Sequence, residues 1–230
     1  TFEGWPKAAK ALKVLDPCCG SGHFLIEGFE LLVRLRMDEE RIGLEDAVSR
    51  VVRDNLYGLE LDPRCTQIAA FNLAMAAWKI AGKPIELPTI QIACSGLAVG
   101  STKAEWTQLA GDDERLRNGM ERLYDLFEQA PELGSLIDPK ALEGDLLLAD
   151  FAELQPLFEQ ALARESVDAE GTERAVAAQG MARAAKLLSG DYTLAITNVP
   201  YLGRSMQTSV LTKFADDHYV EAKHDLSTIF

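Results

Sequence analysis

Three shortages bound what this chain can be. No stretch approaches the ~18 consecutive apolar residues of a membrane-spanning helix, so a bilayer-embedded protein of the helical kind is not expected. Cysteine is sparse: there are four, two of them adjacent at Cys18 and Cys19. That count does not make a secreted disulfide scaffold and fits a reducing cytoplasm. Positive charge is also short, with 23 Lys and Arg against 36 Asp and Glu, a net charge of −13 and a pI near 4.7. Phosphate contacts by Lys and Arg normally carry most of a protein's affinity for nucleic acid, so this stretch alone should hold DNA weakly.

Other chemistries lack their residues. Adjacent cysteines in a tight turn do not present the paired geometry of a zinc ligand set, so Cys18, Cys19 and His23 are not read as a metal site. His218 and His224 lie in a polar stretch and read as surface residues, and there is no Ser or Cys triad to supply a nucleophile. What is present is ordinary globular material, 47% hydrophobic and 26% charged over 230 residues. This is enough for one α/β domain with a full core, or one domain carrying an insertion. The chain opens at Thr1 without a Met and closes at Phe230 inside an amphipathic stretch. It is therefore expected to be a piece of a larger protein.

Periodicity sets the order of the elements. Lys13 to Asp16 reads as a buried strand and Phe24 to Met37 as a helix; Ile42 to Asp54 follows as a second helix. Leu56 to Glu60 is the next strand, and Asp62-Pro63 introduces an Ala-rich helix from Cys65 to Ile80, closed by Gly82 and Pro84. Thr89 to Cys94 makes a third strand. The fourth, Tyr192 to Thr197, comes about a hundred residues later, where a doubly wound unit needs one helix. A mainly helical insertion is expected between them. It reads as a helix from Glu114 to Gln129, a turn-rich connection from Ala130 to Lys140, an ambiguous stretch from Leu142 to Ala149, and a helix from Leu154 to Ala163. Glu165 to Arg174 reads as a polar loop before a helix from Ala175 to Leu188. Val210 to His218 and Asp225 to Phe230 look helical. The implied fold is a doubly wound, mainly parallel α/β sheet, truncated, with residues 1–97 as the cofactor-binding half, 98–189 as the insertion, and 190–230 as the catalytic-loop strand with its following helices.

The chemistry concentrates at strand ends. Asp16 ends the first strand, and Gly20 and Gly22 let the backbone approach a ligand without a side-chain clash; Ser21 between them can cap the helix. Glu60 ends the next strand, where a carboxylate can accept both hydroxyl protons of a ribose. Loop and acid together point to a nucleoside cofactor and leave open whether it is a dinucleotide or S-adenosylmethionine, although the third Gly of G-x-G-x-x-G is replaced by Leu25. Asn198-Val199-Pro200-Tyr201 favours the latter. The exocyclic amine of adenine is a poor nucleophile because its lone pair is delocalised into the ring. An amide oxygen from Asn198 and the carbonyl of Val199 can accept from that amine and aim it at a methyl sulfonium. Pro200 stiffens the turn and Tyr201 offers a face on which a flipped base can stack.

With Asp16 to Phe24 reading DPCCGSGHF and Asn198 to Tyr201 reading NVPY, the chain resembles the amino-methylating, adenine-specific DNA methyltransferases, and more closely the large PglX-like enzymes of phage-exclusion and restriction systems. The resemblance implies that Asp16, Cys18, Gly20, Gly22 and Phe24 belong to the S-adenosylmethionine loop. Tyr57 to Pro63 (YGLELDP) is similar to the family's second motif and carries the ribose role onto Glu60. Val199 stands where the family has Pro, a position used through its carbonyl. KHDLSTIF, Lys223 to Phe230, is similar to the segment that follows the catalytic loop. By order Ser95 would read the cofactor's adenine, with Asp145 and Asp150 as alternatives. The implied function is methyl transfer from S-adenosylmethionine to adenine in DNA, with DNA held through the full-length protein. Two other readings stay open: a nicotinamide-dependent oxidoreductase, which gives no role to Asn198 through Tyr201, and a non-catalytic module that keeps the cofactor fold.

Overall fold

The computed structural model describes residues 4–100, 102–108, 110–141 and 169–230. Two compact units divide the chain: one comprises residues 1–93 and 190–198, the other residues 94–189 and 199–230.

The first unit is built on short parallel strands. β1 (Val14–Asp16) pairs parallel with β2 (Leu56–Glu60), Val14 facing Leu56 and Asp16 facing Gly58. On its other side β1 pairs parallel with β4 (Leu194–Ala195), Val14 facing Leu194. With β3 (Ile92–Cys94) the order across the sheet is β3-β2-β1-β4. Among the described residues this is the strand order of a doubly wound sheet, and it reverses between β1 and β4. β3 and β4 are shorter than the strands expected over Thr89–Cys94 and Tyr192–Thr197. Ahead of β3 the Ile92 N–H is spent locally on Ile90 O at 3.0 Å, while Ile196 still donates its N–H to Leu15 O at 2.9 Å beyond the end of β4.

Three helices cover the sheet, and each buries the stripe its periodicity marks. α1 (His23–Glu40) buries Leu25, Phe29, Leu32, Val33 and Arg36. α2 (Leu44–Asp54) buries Ala47, Val48, Val51 and Val52. α3 (Pro63–Ala81) starts on an Asp62 cap with Pro63 in its first turn, ends on Gly82 at φ 73°, and buries Ala69, Leu73 and Ala77. These stripes join Val14, Leu56 and Ile92 in one core. Removing that apolar surface from water is the main drive for the unit's folding, at about 25 cal/mol per Å².

The second unit is helical where it is described. α4 (Lys103–Gln108) buries Trp106, whose indole N–H donates to Met120 O at 2.8 Å on α5 (Glu114–Phe127). α5 buries Leu116, Met120, Leu123 and Phe127, while Tyr124 is partly exposed. α6 (Ala130–Leu133) is a single turn, followed by 3-10 turns at Gly134–Leu136 and Pro139–Ala141.

α7 (Ala169–Leu188) begins six residues before the expected start at Ala175, so residues 169–174 are helical where a loop was expected. The ambiguous stretch Leu142–Ala149, the helix expected over Leu154–Ala163, and Asp145 and Asp150 with them, lie outside the described residues. α8 (Ser209–His218) starts on Thr208, which accepts from Leu211 N–H, as the sequence indicates within one residue. Asp225–Phe230 is not an α-helix. Asp225 caps a single 3-10 turn, Leu226–Thr228, and the chain is held there by a strand-like bridge. Among the described residues no helix is long and apolar enough to cross a membrane.

Candidate functional site

The first unit gathers its chemistry at the carboxyl ends of β1, β2 and β4. Gly20 and Gly22 both take positive φ, 52° and 88°, a region closed to most side chains. At Gly22 a second constraint acts: a Cβ there would lie 3.2 Å from Cβ of Ala69, so the loop sits directly on α3. At Gly20 a Cβ would meet nothing within 4 Å, which leaves that face of the turn open. Ser21 does not cap α1. The cap position is Gly22, without a side-chain bond, and Ser21 instead offers its carbonyl to Asn72 Nδ2 at 3.0 Å.

Glu60 fastens the same turn. Its Oε2 accepts from Gly20 N–H at 2.7 Å and its Oε1 from Asp62 N–H at 3.0 Å. Each carboxylate oxygen can accept a further hydrogen bond. The acid thus ties β2 to the loop and retains acceptor capacity. Cys19 completes the fastening, its N–H donating to Leu59 O at 2.9 Å while its carbonyl accepts from Gly22 N–H at 2.7 Å.

Asp16 is 1% exposed. Burial raises its pKa above the usual carboxylate value, and the nearby Glu60 charge adds to the rise; the Thr197 hydroxyl and the Cys18 N–H, which donates to Oδ1 at 3.2 Å, oppose it. A cation or amino group brought beside Asp16 would favour its ionised form. The same burial, with the two acids, pushes Cys18 up to about 12 and raises Cys19 further. Both are thiols at neutral pH and poor nucleophiles. Phe24, in the first turn of α1, is 44% exposed.

After β4 comes the tetrapeptide. Asn198 is exposed, and the ring of Tyr201 is 83% exposed, an available stacking face. Asn198 follows Thr197, so it stands at the carboxyl end of the strand beside Asp16, on the other side of the point where strand order reverses. Ser95 belongs to the second unit. Its hydroxyl is fully buried and shares a 3.1 Å hydrogen bond with Ser135 Oγ.

Two residues of this arrangement were not singled out from sequence. Asn72 stands on α3 three residues after the buried Ala69 and next to the buried Leu73; a polar amide beside buried positions in an Ala-rich helix was the available signal. Thr197 carries no such signal, because β-branched residues are common in strands.

A sheet ordered 3-2-1-4, with an acid and a two-glycine turn leading from β1 into a helix, defines an α/β domain of the methyltransferase fold. Comparison with known proteins narrows this. Residues 5–87 match the family model described as MmeI, DNA-methyltransferase domain. The chain is 29% identical, over 97% of its length, to the adenine-specific methyltransferase PglX of Lacticaseibacillus casei (strain Zhang), of which it covers 18%. It is 27% identical, over 96% of its length, to the adenine-specific methyltransferase BrxX of Escherichia coli O9:H4 (strain HS), of which it covers 20%. To DNA methyltransferase A of Bacillus subtilis (strain 168) it is 26% identical over 59% of its length, covering 16% of that protein. Along nearly all of its length, then, the chain is similar to adenine-specific methyltransferases, and it spans about a fifth of the length of PglX and BrxX.

Proposed function

We propose that the chain is the cofactor-binding and catalytic-loop part of a cytoplasmic enzyme that transfers a methyl group from S-adenosylmethionine to the exocyclic amine of adenine in DNA, within a phage-defence or restriction-modification system. The observation that carries the reading is the placement of two unlike polar groups on adjacent strands: the buried Asp16 with its glycine turn ends β1, and the exposed Asn198 follows β4. A cofactor and a second substrate can meet across such a switch point. The residues fit the cofactor. The turn is open at Gly20, Glu60 has spare acceptor capacity for a ribose, and the buried Asp16 carboxyl favours a cationic or amino group. When bound, S-adenosylmethionine supplies an electrophilic methyl on a positively charged sulfur.

The chain's own residues do the remainder. Asn198 Oδ1 and the Val199 carbonyl accept from the target amine and orient its lone pair, Pro200 limits the turn's freedom, and Tyr201 stacks on the extruded base. The nicotinamide alternative leaves Asn198 through Tyr201 idle, and the named relatives favour methyl transfer. DNA is expected to be held through the whole enzyme.

The test separates the two halves of the site. In the full natural chain, Glu60→Ala should weaken S-adenosylmethionine binding roughly 10- to 100-fold, the loss of a charge-assisted bidentate acceptor. Asn198→Ala should bind it normally while single-turnover methylation falls about 10²–10³-fold. Calorimetry and tritium transfer to DNA lacking adenine methylation measure the two. Normal methylation by a folded Asn198→Ala protein would remove the catalytic assignment, and unchanged affinity in Glu60→Ala would remove the ribose one.

A further inference from the structure

The chain that leaves Tyr201 is tied down at once. Leu202 O accepts from Leu226 N–H at 3.0 Å, and Arg204 N–H donates to His224 O at 2.9 Å, so Gly203 and Asp225 face each other in an antiparallel bridge. Leu202 O also accepts from Gln207 Nε2 at 3.2 Å. The Asp225 carboxylate holds the other side of this bridge in place by accepting from Ser227 N–H at 2.9 Å and Ser227 Oγ at 2.7 Å.

One guanidinium links the pieces. Arg204 Nη2 donates to Asp216 Oδ2 on α8 at 2.5 Å, and Nη1 reaches Lys223 O at 3.4 Å. Asp216 is shared, its Oδ1 lying 2.9 Å from Lys223 Nζ. Lys223 and Arg204 together hold the Asp216 carboxyl below its ordinary range. All these groups belong to the second unit.

The side chains of Arg204 and Asp216 are 30% and 40% exposed. Ion pairs at such exposure contribute little to global stability, so three elements converging on Arg204 need a local explanation. We infer that Arg204 is a positioning residue for methyl transfer: it clamps the carboxyl end of the loop Val199–Leu202 to α8 and to the Lys223–Asp225 segment, so that the Val199 carbonyl and the Tyr201 ring are already held before a base arrives. The inference rests on the reading of Asn198–Tyr201 as the base-binding loop. A displacement of about 1 Å at such acceptors can cost ~10²-fold in rate. Arginine suits the place because its fork serves a carboxylate and a carbonyl together, whereas lysine offers a single point charge.

The test compares Arg204→Ala, Arg204→Lys and Asn198→Ala in the full natural chain, reading single-turnover methylation of unmethylated genomic DNA at saturating DNA, S-adenosylmethionine affinity, and melting temperature. Arg204→Ala should lose about tenfold in rate, with cofactor affinity within about twofold and a melting temperature within ~2 °C of the parent. Arg204→Lys should recover part of the rate through Asp216 alone. If Asn198→Ala collapses and Arg204→Ala transfers at the parental rate, the positioning role is wrong and the loop reading stands. If Arg204→Ala loses rate, cofactor affinity and melting temperature together, Arg204 serves the fold and the proposal fails. A parental rate in Asn198→Ala removes the loop reading and the proposal with it.

Discussion

Asp16 places an ionisable group where burial works against its charge. Its carboxyl is buried, its pKa is raised chiefly by that burial, and its neighbour Glu60 repels its charge. A carboxylate raised in the folded state costs nothing below its unfolded pKa, where both states are protonated. The cost grows as pH climbs from there through the raised folded value, and is constant above it. Asp16→Asn should therefore melt higher than the parent at pH 8, with the advantage shrinking on acidification and gone below the ordinary carboxylate range. The same variant should bind S-adenosylmethionine more weakly, since the negative charge that favours a cationic group is lost. Melting curves from pH 3 to pH 8 check the first expectation; a variant that melts lower than the parent at pH 8 would contradict the burial argument.

At the scale of elements, a buried arginine organises the first unit. Arg36 on α1 is 3% exposed and donates through Nη1 to Asp54 Oδ2 and Asn55 Oδ1, both at 3.1 Å, and through Nε and Nη2 to Glu40. Asn55 extends the network with Nδ2 bonds to Ala9 O at 2.8 Å and Leu12 O at 2.7 Å. The ends of α1 and α2 are thereby joined to the segment that enters β1. Removing one member of a buried charged network costs more than the intact network contributes, because its partners stay desolvated. Arg36→Met should destabilise the fold by about 3 kcal/mol, seen as a lower urea midpoint with an unchanged slope. A loss below about 0.5 kcal/mol would mean that the network is solvated like a surface pair.

Over the whole chain, the excess of acid sets what this stretch can do by itself. With 36 acidic against 23 basic side chains, residues 1–230 should bind a mixed-sequence duplex no more tightly than about 10⁻⁶ M, with affinity falling steeply as salt rises. A gel-shift titration at two salt concentrations measures this. Tight, sequence-selective binding by this stretch would show a recognition surface that its charge does not suggest.

Much of the first unit was legible because its signals are local. Asp16 before a Gly-Ser-Gly turn, Asp62-Pro63 before an apolar 3.6-residue period, and Gly82 after it each determine a boundary through backbone sterics, and the structure reproduces them within two residues. Features that needed tertiary contacts were not legible. Glu60 reads in sequence as a ligand acceptor, and its bond to the Gly20 backbone requires knowing that β2 lies beside β1. Ser21 looked like a cap until the turn placed Gly22 there. The turn at Leu226–Thr228 is anchored through Leu226 N–H to Leu202 O, distant in sequence, and Arg204 likewise has acceptors 12 and 19 residues away. Sequence determined the turns, caps and strand ends that nominate the candidate residues, because those lie in side-chain type and local backbone freedom. The tertiary structure decided how their hydrogen-bonding capacity is shared between ligand and scaffold, because an acceptor's partners are set by what the fold brings within 3 Å of it.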